Sequence, residues 1–557
     1  MSSSTTYNSI ALRSPSEVMR LDRLGSTFPT RLSFIRILLR RMAKEDWKVL
    51  RTHFNINAYG FGCAIYTIST PERTYSLIAF SQYLDPAERM DRVIARAWDA
   101  TFVLYDGIPS EADIRRLGQE MPKQEAGRYG PKDLVLSRAN KSVRLFNHVV
   151  KSLSEGNQPD PNIIVEIGYL MRTTAVYANG KFGLADRADY ANRPALNPPF
   201  QAEMLTVYLI RCFTFDLVEH IARSLNPGDF KPLKDKYKRY LGIGNATGLG
   251  MAPFLVNHPA LIHNWFHARE TALARVRGIA RASENKIEQF HALLKKVIRH
   301  VAEWNVEDEA QISRIHILRG ELQEVMKWKL TAKIKNPWDK FFQRAMEEHA
   351  LEGQELLLSI LIELYPEIVD PLANELSSAS EPMVDPNMTI AEVQGLLDNY
   401  YDWAFNYDFE DKRTNRFVWY YSDEKLEPRR GERRSDITEI QSIPVAIARD
   451  VQSLREDLKD EEADTPIAMF LLRHPNYRNV VCRIQNVAAY PYSELRDNLI
   501  GSECRPIDIL RAKLAYFGAS KFDPKSDLWT RITMYQGAPL PSELTENRDC
   551  FFPTLEA

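Results

Sequence analysis

The sequence has little cysteine and no long apolar stretch. Five cysteines occur among 557 residues, and no two form a C-x-x-C pair, which argues against a secreted disulfide framework. The first seven residues are polar and uncharged and lack the basic and apolar regions of a signal peptide. The most apolar window, residues 356–362, lies between Glu355 and Glu363 and is too short to span a bilayer. We therefore expect a soluble cytoplasmic protein that does not enter the membrane.

An excess of positive charge is also missing. Lys and Arg number 72 against 74 Asp and Glu, which gives a formal charge of -2. General nucleic-acid binding usually needs a basic surface, so this balance argues against it. The sequence also lacks a G-x-S-x-G elbow, the kinase motifs and a cysteine in a recognisable catalytic setting, which removes the commonest hydrolase, kinase and dithiol-redox classes. An enzyme whose site is assembled from distant residues stays open.

What is present predicts an α+β protein that is predominantly α-helical. Two β-rich runs, 63–69 and 74–81, flank a short turn and predict a hairpin, and 100–105 predicts a third strand. We therefore expect a small antiparallel sheet within residues 60–106, near the N-terminus. Helical periodicity dominates elsewhere and predicts helices over 31–54, 137–153, 161–172, 200–225, 259–304, 309–326 and 339–364.

Three parts are expected along the chain. Residues 1–370 form a large, mainly helical domain that carries the small sheet. Residues 371–387 are rich in proline, serine and acidic residues, which is typical of a linker. Residues 388–557 form a smaller mixed region, with strands predicted over 416–421 and 528–535.

The predicted helix over 31–54 has a basic side. Its apolar residues recur at helical spacing and lie opposite four cations, Arg36, Arg40, Arg41 and Lys44. This pattern is typical of a helix with one solvated face. A helix lying on a membrane surface is the alternative, although the acidic residues that follow the cations interrupt it.

A glycine-rich run, Gly242-Ile-Gly-Asn-Ala-Thr-Gly-Leu-Gly250, is a candidate phosphate or carboxylate cradle. Glycines let backbone amides approach an anion. The run departs from the dinucleotide fingerprint at Thr247, which argues against a Rossmann site, and no Gly-Lys-Ser/Thr follows it, so it fails the P-loop pattern. A loop that gives donors through Gly244, Asn245, Thr247 and Gly248, or a flexible connection without a ligand, are the two interpretations.

Three polar residues share one face of the helix that begins at Pro259. His263, His267 and Glu270 are spaced i, i+4 and i+7. The two imidazoles with the carboxylate could bind a metal, act in acid–base chemistry without one, or be structural. Two further pairs, Asp216 with His220 and Glu288 with His291, have ligand spacing for a dimetal site but lack a complete ligand set.

Cations and amides cluster in a third candidate site. Arg138, Asn140 and Lys141 lie at a predicted helix start, and Arg172 and Lys181 flank a predicted Asn-Gly turn. Arginine offers a planar fork to carboxylate or phosphate, and lysine offers a mobile charge. A solvated surface and a contact with RNA or a protein partner are the alternatives. Residues 400–434 also combine aromatic and basic side chains, which suits either base stacking or a mixed core.

These candidates lead to one main hypothesis and two alternatives. The main hypothesis is an intracellular enzyme that acts on a small anionic metabolite by acid–base chemistry, with the cationic cluster and the glycine run holding the anion. His263 or His267 would transfer protons. The first alternative is a non-catalytic RNA- or protein-binding scaffold that uses residues 400–434. The second is a metalloenzyme built on the His263, His267 and Glu270 helix.

Overall fold

A computed structural model gives the architecture of the chain. It describes residues 7–24, 30–85, 87, 97–120, 130–178, 192–248, 255–304, 309–378, 382–422, 427–433, 443, 445–505, 508–509, 511, 513–526, 529–544 and 553–555. All statements below refer to these residues. Helical elements outnumber strands among these residues, so helix predominates.

The prediction of a small N-terminal sheet is wrong. Within the described residues the main sheet has nine strands, in the order β1-β2-β3-β4-β5-β6-β7-β11-β10. All neighbouring pairs are antiparallel except β6 and β7, which are parallel. The strands are β1 (Lys48–Ile56), β2 (Gly62–Ser69), β3 (Thr74–Ser81), β4 (Ala100–Asp106), β5 (Asp133–Lys141), β6 (Tyr169–Ala178), β7 (Gly242–Gly248), β10 (Ser520–Ser526) and β11 (Trp529–Met534).

A separate two-stranded sheet pairs β8 (Phe417–Ser422) with β9 (Glu427–Glu432). The helices are α1 (Pro15–Val18), α2 (Phe34–Lys44), α3 (Glu111–Glu120), α4 (Leu145–Ser154), α5 (Pro161–Ile167), α6 (Gln201–Leu225), α7 (Asp235–Tyr240), α8 (Pro259–Arg277), α9 (Glu284–Ala302), α10 (Glu309–Val325), α11 (Pro337–Glu348), α12 (Leu351–Glu363), α13 (Pro366–Val369), α14 (Ile390–Tyr400), α15 (Ile447–Asp457), α16 (Ile467–Arg473) and α17 (Arg478–Asn486).

Helix α6 covers one face of the sheet and places it against the main core. Phe213 on α6 packs edge-on against Tyr66 of β2 and Phe102 of β4. Because side chains alternate along a strand, the opposite face carries a second, smaller cluster that includes Ile65, Ile78 and Leu136, with α3 contributing Leu117. Both faces of β2 to β5 are therefore buried, and their strands are correspondingly apolar.

Three predicted helices are shorter than expected because strands replace part of them. The helix predicted over 31–54 ends at Lys44, and Asp46, with a φ of 52°, turns the chain into β1. The helix predicted over 161–172 ends at Ile167, where Gly168 adopts a left-handed conformation with a φ of 80°; glycine suits that position at a helix end. The helix predicted over 137–153 begins at Leu145, since residues 133–141 form β5.

Other elements agree with the sequence patterns. The hairpin predicted over 63–69 and 74–81 is confirmed as β2 and β3, and the helix predicted over 200–225 is confirmed as α6. The strand predicted over 528–535 is confirmed as β11, but it pairs with β7 of the N-terminal part. The main sheet therefore contains strands from both sides of the predicted linker, while the division into domains stays a prediction.

Gly244 has a packing role in β7. A Cβ atom at this position would lie 2.7 Å from Cδ2 of the Tyr169 ring, and Tyr169 is buried. We expect Gly244→Ala to lower the free energy of unfolding by about 1–3 kcal/mol, because the ring must shift in a packed core. Urea denaturation followed by circular dichroism measures it.

Gly320→Ala is the control, since a Cβ at Gly320 in α10 meets nothing within 4 Å. It should leave the stability unchanged or raise it by up to about 1 kcal/mol. Equal unfolding midpoints for the two variants would contradict the packing role of Gly244.

Candidate functional site

Four of the predicted anion-binding residues lie together on one face of the main sheet. Asn140 on β5 is opposite Arg172 on β6, and Arg172 is opposite Gly244 on β7. Arg138 is two residues before Asn140 on the same strand, so it shares their face. Lys141 and Asn245 belong to the opposite face. Strand pairing brings Arg138, Asn140, Arg172 and Gly244 together. The sequence predicted a helix that starts at residue 137 and so did not predict this pairing.

The polar groups of Asn140 and of its neighbour Lys141 bond to other parts of the protein. The Asn140 Oδ1 atom accepts the Asp99 amide at 2.8 Å, and its Nδ2 donates to the Ala97 carbonyl at 3.2 Å. The Lys141 amide donates to Asp99 Oδ2 at 2.9 Å, and the Lys141 ammonium lies 3.9 Å from the other carboxylate oxygen. Asn140 and Lys141 therefore anchor the segment that leads into β4.

Arg138 is half-buried and Arg172 is buried. The Arg138 guanidinium stacks on Trp98, with its central carbon 4.1 Å from the ring centroid, and Arg172 is 3% exposed. Lys181 lies outside the described residues. This row is consequently a polar part of the sheet interior.

The glycine-rich run is a strand, and the expected loop is wrong for residues 242–248. The backbone of β7 pairs with β6 on one side and β11 on the other, with Thr247 opposite Thr530 and Gly248 opposite Trp529. Its backbone groups therefore serve the sheet. Asn245 donates to the Thr173 hydroxyl at 2.9 Å, which adds a side-chain bond across the β6–β7 pair.

The two predicted catalytic histidines face the C-terminal part of the chain. The rings of His263 and His267 stack with their centroids 5.4 Å apart, and His263 Nδ1 accepts the Tyr492 amide at 3.1 Å. Burial, helped by His267, lowers the pKa of His263 to about 4, so its imidazole is neutral near pH 7. These contacts lie on α8, whereas Arg138 and Arg172 lie in the main sheet.

Glu270 belongs to a buried ion cluster. Both of its oxygens accept from Arg13 at 2.8 Å, and Arg269 donates to it at 3.1 Å. Arg13 also donates to Glu355 on α12 at 2.8 Å. Burial alone would raise the pKa of Glu270, but the charges of Arg13 and Arg269 outweigh it and lower the pKa to about 2. Glu270 is thus a fixed anion that neutralises arginine.

In the predicted ligand pair Asp216 and His220, each side chain has a partner of its own. Asp216 accepts the Tyr66 hydroxyl at 2.6 Å, while His220 Nε2 lies 3.0 Å from the Asn57 carbonyl. Glu288 is exposed on α9. In the described part of the chain, no three His, Cys, Asp or Glu side chains are arranged to hold a metal ion.

Several aromatic residues of the C-terminal part are interior, as is Arg430, whereas Arg413, Arg416 and Arg433 are exposed. Trp419 is buried and donates to the Leu499 carbonyl at 3.1 Å, and Tyr401 is buried beside Glu494. Arg430 is also buried and donates to the carbonyls of Gly501 and Cys504. These residues form a mixed core, which is the interpretation that the sequence favoured.

A cleft of about 770 Å³ lies between α2, the start of α6 and the segment around α13. One wall is formed by Arg40, Arg41 and Lys44 of α2, and residues 194–201 and 366–374 form the others. The sequence signal was present, because Arg36, Arg40 and Lys44 recur every four residues along one side of α2. The structure places the carboxylates of Glu367 and Asp370 opposite α2. A helix that lies on a membrane surface would give these carboxylates no role.

An ion network lies under this cleft. Asp370 accepts from Arg31 at 2.6 and 2.7 Å and lies 3.5 Å from Arg40. Glu363 binds Arg31 and the buried Arg36 at 2.7–2.9 Å. Arg40, Arg41 and Lys44 line the cleft together with Glu45, Glu367 and Asp370, and Arg31 and Arg36 share Glu363 beneath it.

The amino end of α6 adds positive potential to the same cleft. The first helical turn of a 25-residue helix begins at Gln201, and no side chain caps it. Helix N-termini carry a partial positive charge. Gln201 is 1% exposed and lines the cleft, and its Oε1 atom has no hydrogen-bond partner among the described residues. The wall therefore combines cations, a helix N-terminus and an unpaired acceptor.

No protein-family model, curated protein or solved structure matches this chain. Within the described residues, no helix has both the length and the apolar character that crossing a membrane requires.

Removal of Arg13 should destabilise the protein strongly. Arg13→Met leaves Glu270 and Glu355 buried without one of their main counter-charges, which costs about 3–5 kcal/mol. Chemical denaturation measures the change. Arg144→Met is the control, because Arg144 and its partner Glu166 are more than half exposed and such pairs contribute below about 1 kcal/mol. Similar losses for both variants would contradict a special role for the buried cluster.

Glu203 should make stability depend on pH. This side chain lies in the first turn of α6, and burial raises its pKa to about 7. The native state then holds a proton that the unfolded chain loses above pH 4.5, so this group lowers stability as pH rises from about 4.5 to 7. Glu203→Gln should be more stable than the parent at pH 8, by about 2–3 kcal/mol, and equal to it at pH 4. A difference that does not change between these two values would contradict the assignment.

Proposed function

We propose that this chain binds a small anionic ligand in the cleft between α2 and α6. The observation that carries the proposal is the cationic wall of Arg40, Arg41 and Lys44, which lies in the same cleft as the amino end of α6. Arginine and lysine together suit carboxylate or phosphate groups. The ligand class is the one expected from the sequence, but the residues that would hold it are different.

Lys44 is the cation best placed to meet a ligand. It is exposed at the last turn of α2 and lines the cleft. Arg40 and Arg41 are held by neighbouring backbone carbonyls, since Arg40 donates to Arg31 at 2.8 Å and Arg41 donates to Pro194 at 3.0 Å. These bonds fix the guanidinium groups before a ligand arrives, which reduces the entropy that binding must overcome.

Gln201 adds an unpaired acceptor to the cleft wall. Its Nε2 atom faces the Phe34 carbonyl at 3.5 Å, which orients the amide and leaves Oε1 as the unpaired atom. A buried acceptor is stabilised by a donor.

A cytoplasmic location and a catalytic step also stay proposals. The described cysteines Cys63, Cys212, Cys482 and Cys504 are free thiols, which supports a reducing compartment. Proton transfer by His263 or His267 would need a substrate that reaches α8. The cleft proposal does not depend on it.

Thermal shift and calorimetry with citrate and inorganic phosphate, at an ionic strength fixed with KCl, test the binding. A ligand that binds the native state raises the melting temperature by mass action. We expect Lys44→Gln to weaken citrate binding about tenfold, or about 1.4 kcal/mol. Lys151→Gln is the matched control, because Lys151 is also an exposed lysine in the last turn of a helix. Neither anion shifting the melting temperature, or equal effects of both variants, would refute the site.

A further inference from the structure

Strand β1 is an edge of the main sheet with an open side. In the described part of the chain it pairs with β2 alone, and six of its nine residues are exposed. Alternate backbone amides and carbonyls of an edge strand point away from its neighbour. Such an edge can accept an additional strand.

A second cleft, of about 650 Å³, runs beside the first half of β1. The four residues 48–51 form one side, Cys212 and Phe215 of α6 contribute to the lining, and Leu540 and Leu544 line it from the C-terminal segment. An open strand edge next to a partly apolar cleft is the arrangement that binds extended peptides, because the backbone pairs while alternate side chains enter the cleft.

The usable part of the edge is short. The register of β1 against β2 shifts between Arg51 and His53, and the hydroxyl of the intervening Thr52 bonds the Thr67 hydroxyl at 2.9 Å. A bulge of this kind bends a strand and interrupts pairing. A partner strand would therefore pair along residues 48–51.

Charge indicates what kind of segment fits. β1 carries Lys48, Arg51 and His53 and has no acidic residue. Lys48 is paired with Asp46, but both side chains are more than 60% exposed, and such pairs contribute little and exchange partners readily. Arg51 is half exposed beside Asp216. Because side chains alternate along a strand, Lys48 and Arg51 lie on opposite faces of β1, and Arg51 is on the side of Asp216 and the cleft. Carboxylates of an incoming strand can therefore compete for Lys48 on the other face.

We propose that the β1 edge binds an extended acidic segment of another protein. The segment pairs in β conformation with residues 48–51, places apolar side chains on the side of the adjoining cleft, and pairs the carboxylates on its other face with Lys48. This interaction surface is separate from the anion cleft, and it does not depend on the proposed function.

Fluorescence anisotropy with the full chain tests the proposal. The probe is a labelled octapeptide of alternating Val and Glu, compared with an octapeptide of alternating Val and Lys. We expect the acidic peptide to bind at least about tenfold more tightly. Two further peptides carry N-methyl groups on alternate amides, one on the odd-numbered amides and one on the even-numbered amides. Binding should be lost in the peptide whose methylated amides pair with β1. No binding of the acidic peptide, or equal binding of the methylated forms, would overturn the proposal.

Lys48→Glu gives a second readout, and circular dichroism shows whether the variant folds. This substitution should reduce the preference for the acidic peptide at least threefold, whereas Lys151→Glu, on the exposed side of α4, should leave it unchanged. An unchanged preference in a folded Lys48→Glu variant would overturn the proposal. A second copy of this chain is the other possible occupant of the edge, and sedimentation velocity tests it. A dimer of the parent chain that Lys48→Glu dissociates would assign the edge to that second copy and overturn the proposal.

Discussion

Two buried carboxylates, Glu270 and Glu355, set the main constraint on this structure. Ionised groups are costly to bury unless they are paired, and here the guanidinium of Arg13 reaches both from the N-terminal segment. The Tyr492 hydroxyl donates to the Arg13 carbonyl at 2.6 Å. One arginine thereby connects the N-terminal segment, α8, α12 and the C-terminal part of the chain.

The connection between α2 and β1 organises both proposed surfaces. Arg41 and Lys44 line the anion cleft, while Trp47 and Lys48 line the cleft beside the strand edge. The Trp47 indole is buried and donates to Glu45 at 2.8 Å, and Glu45 accepts from Arg41 at 2.9 Å. This chain of contacts gives the two clefts a common, well-packed wall.

Local patterns were sufficient for elements whose own residues carry a clear signal. The 63–81 hairpin and α6 follow from their periodicity and turn residues. β1 was missed because it is an exposed edge with few apolar residues. β7 was missed because glycine is rare in strands. Nothing in the sequence shows that Tyr169 lies over Gly244. The role of Glu270 depends on Arg13, which no spacing rule connects to it. The cationic row of α2 was visible, but the opposing wall around Asp370 was not.

The pairing of β7 with β11 has a consequence for how the protein is made. β11 follows β7 by roughly 300 residues, a separation that makes pairing slow because a long loop must close first. During synthesis at about 5–20 residues per second, β7 emerges from the ribosome well before its neighbour exists. Its open side stays unpaired until β11 (Trp529–Met534) has been synthesised. Nascent chains released early would therefore expose a glycine-rich strand edge, and quality-control chaperones would have a lasting target on the truncated product.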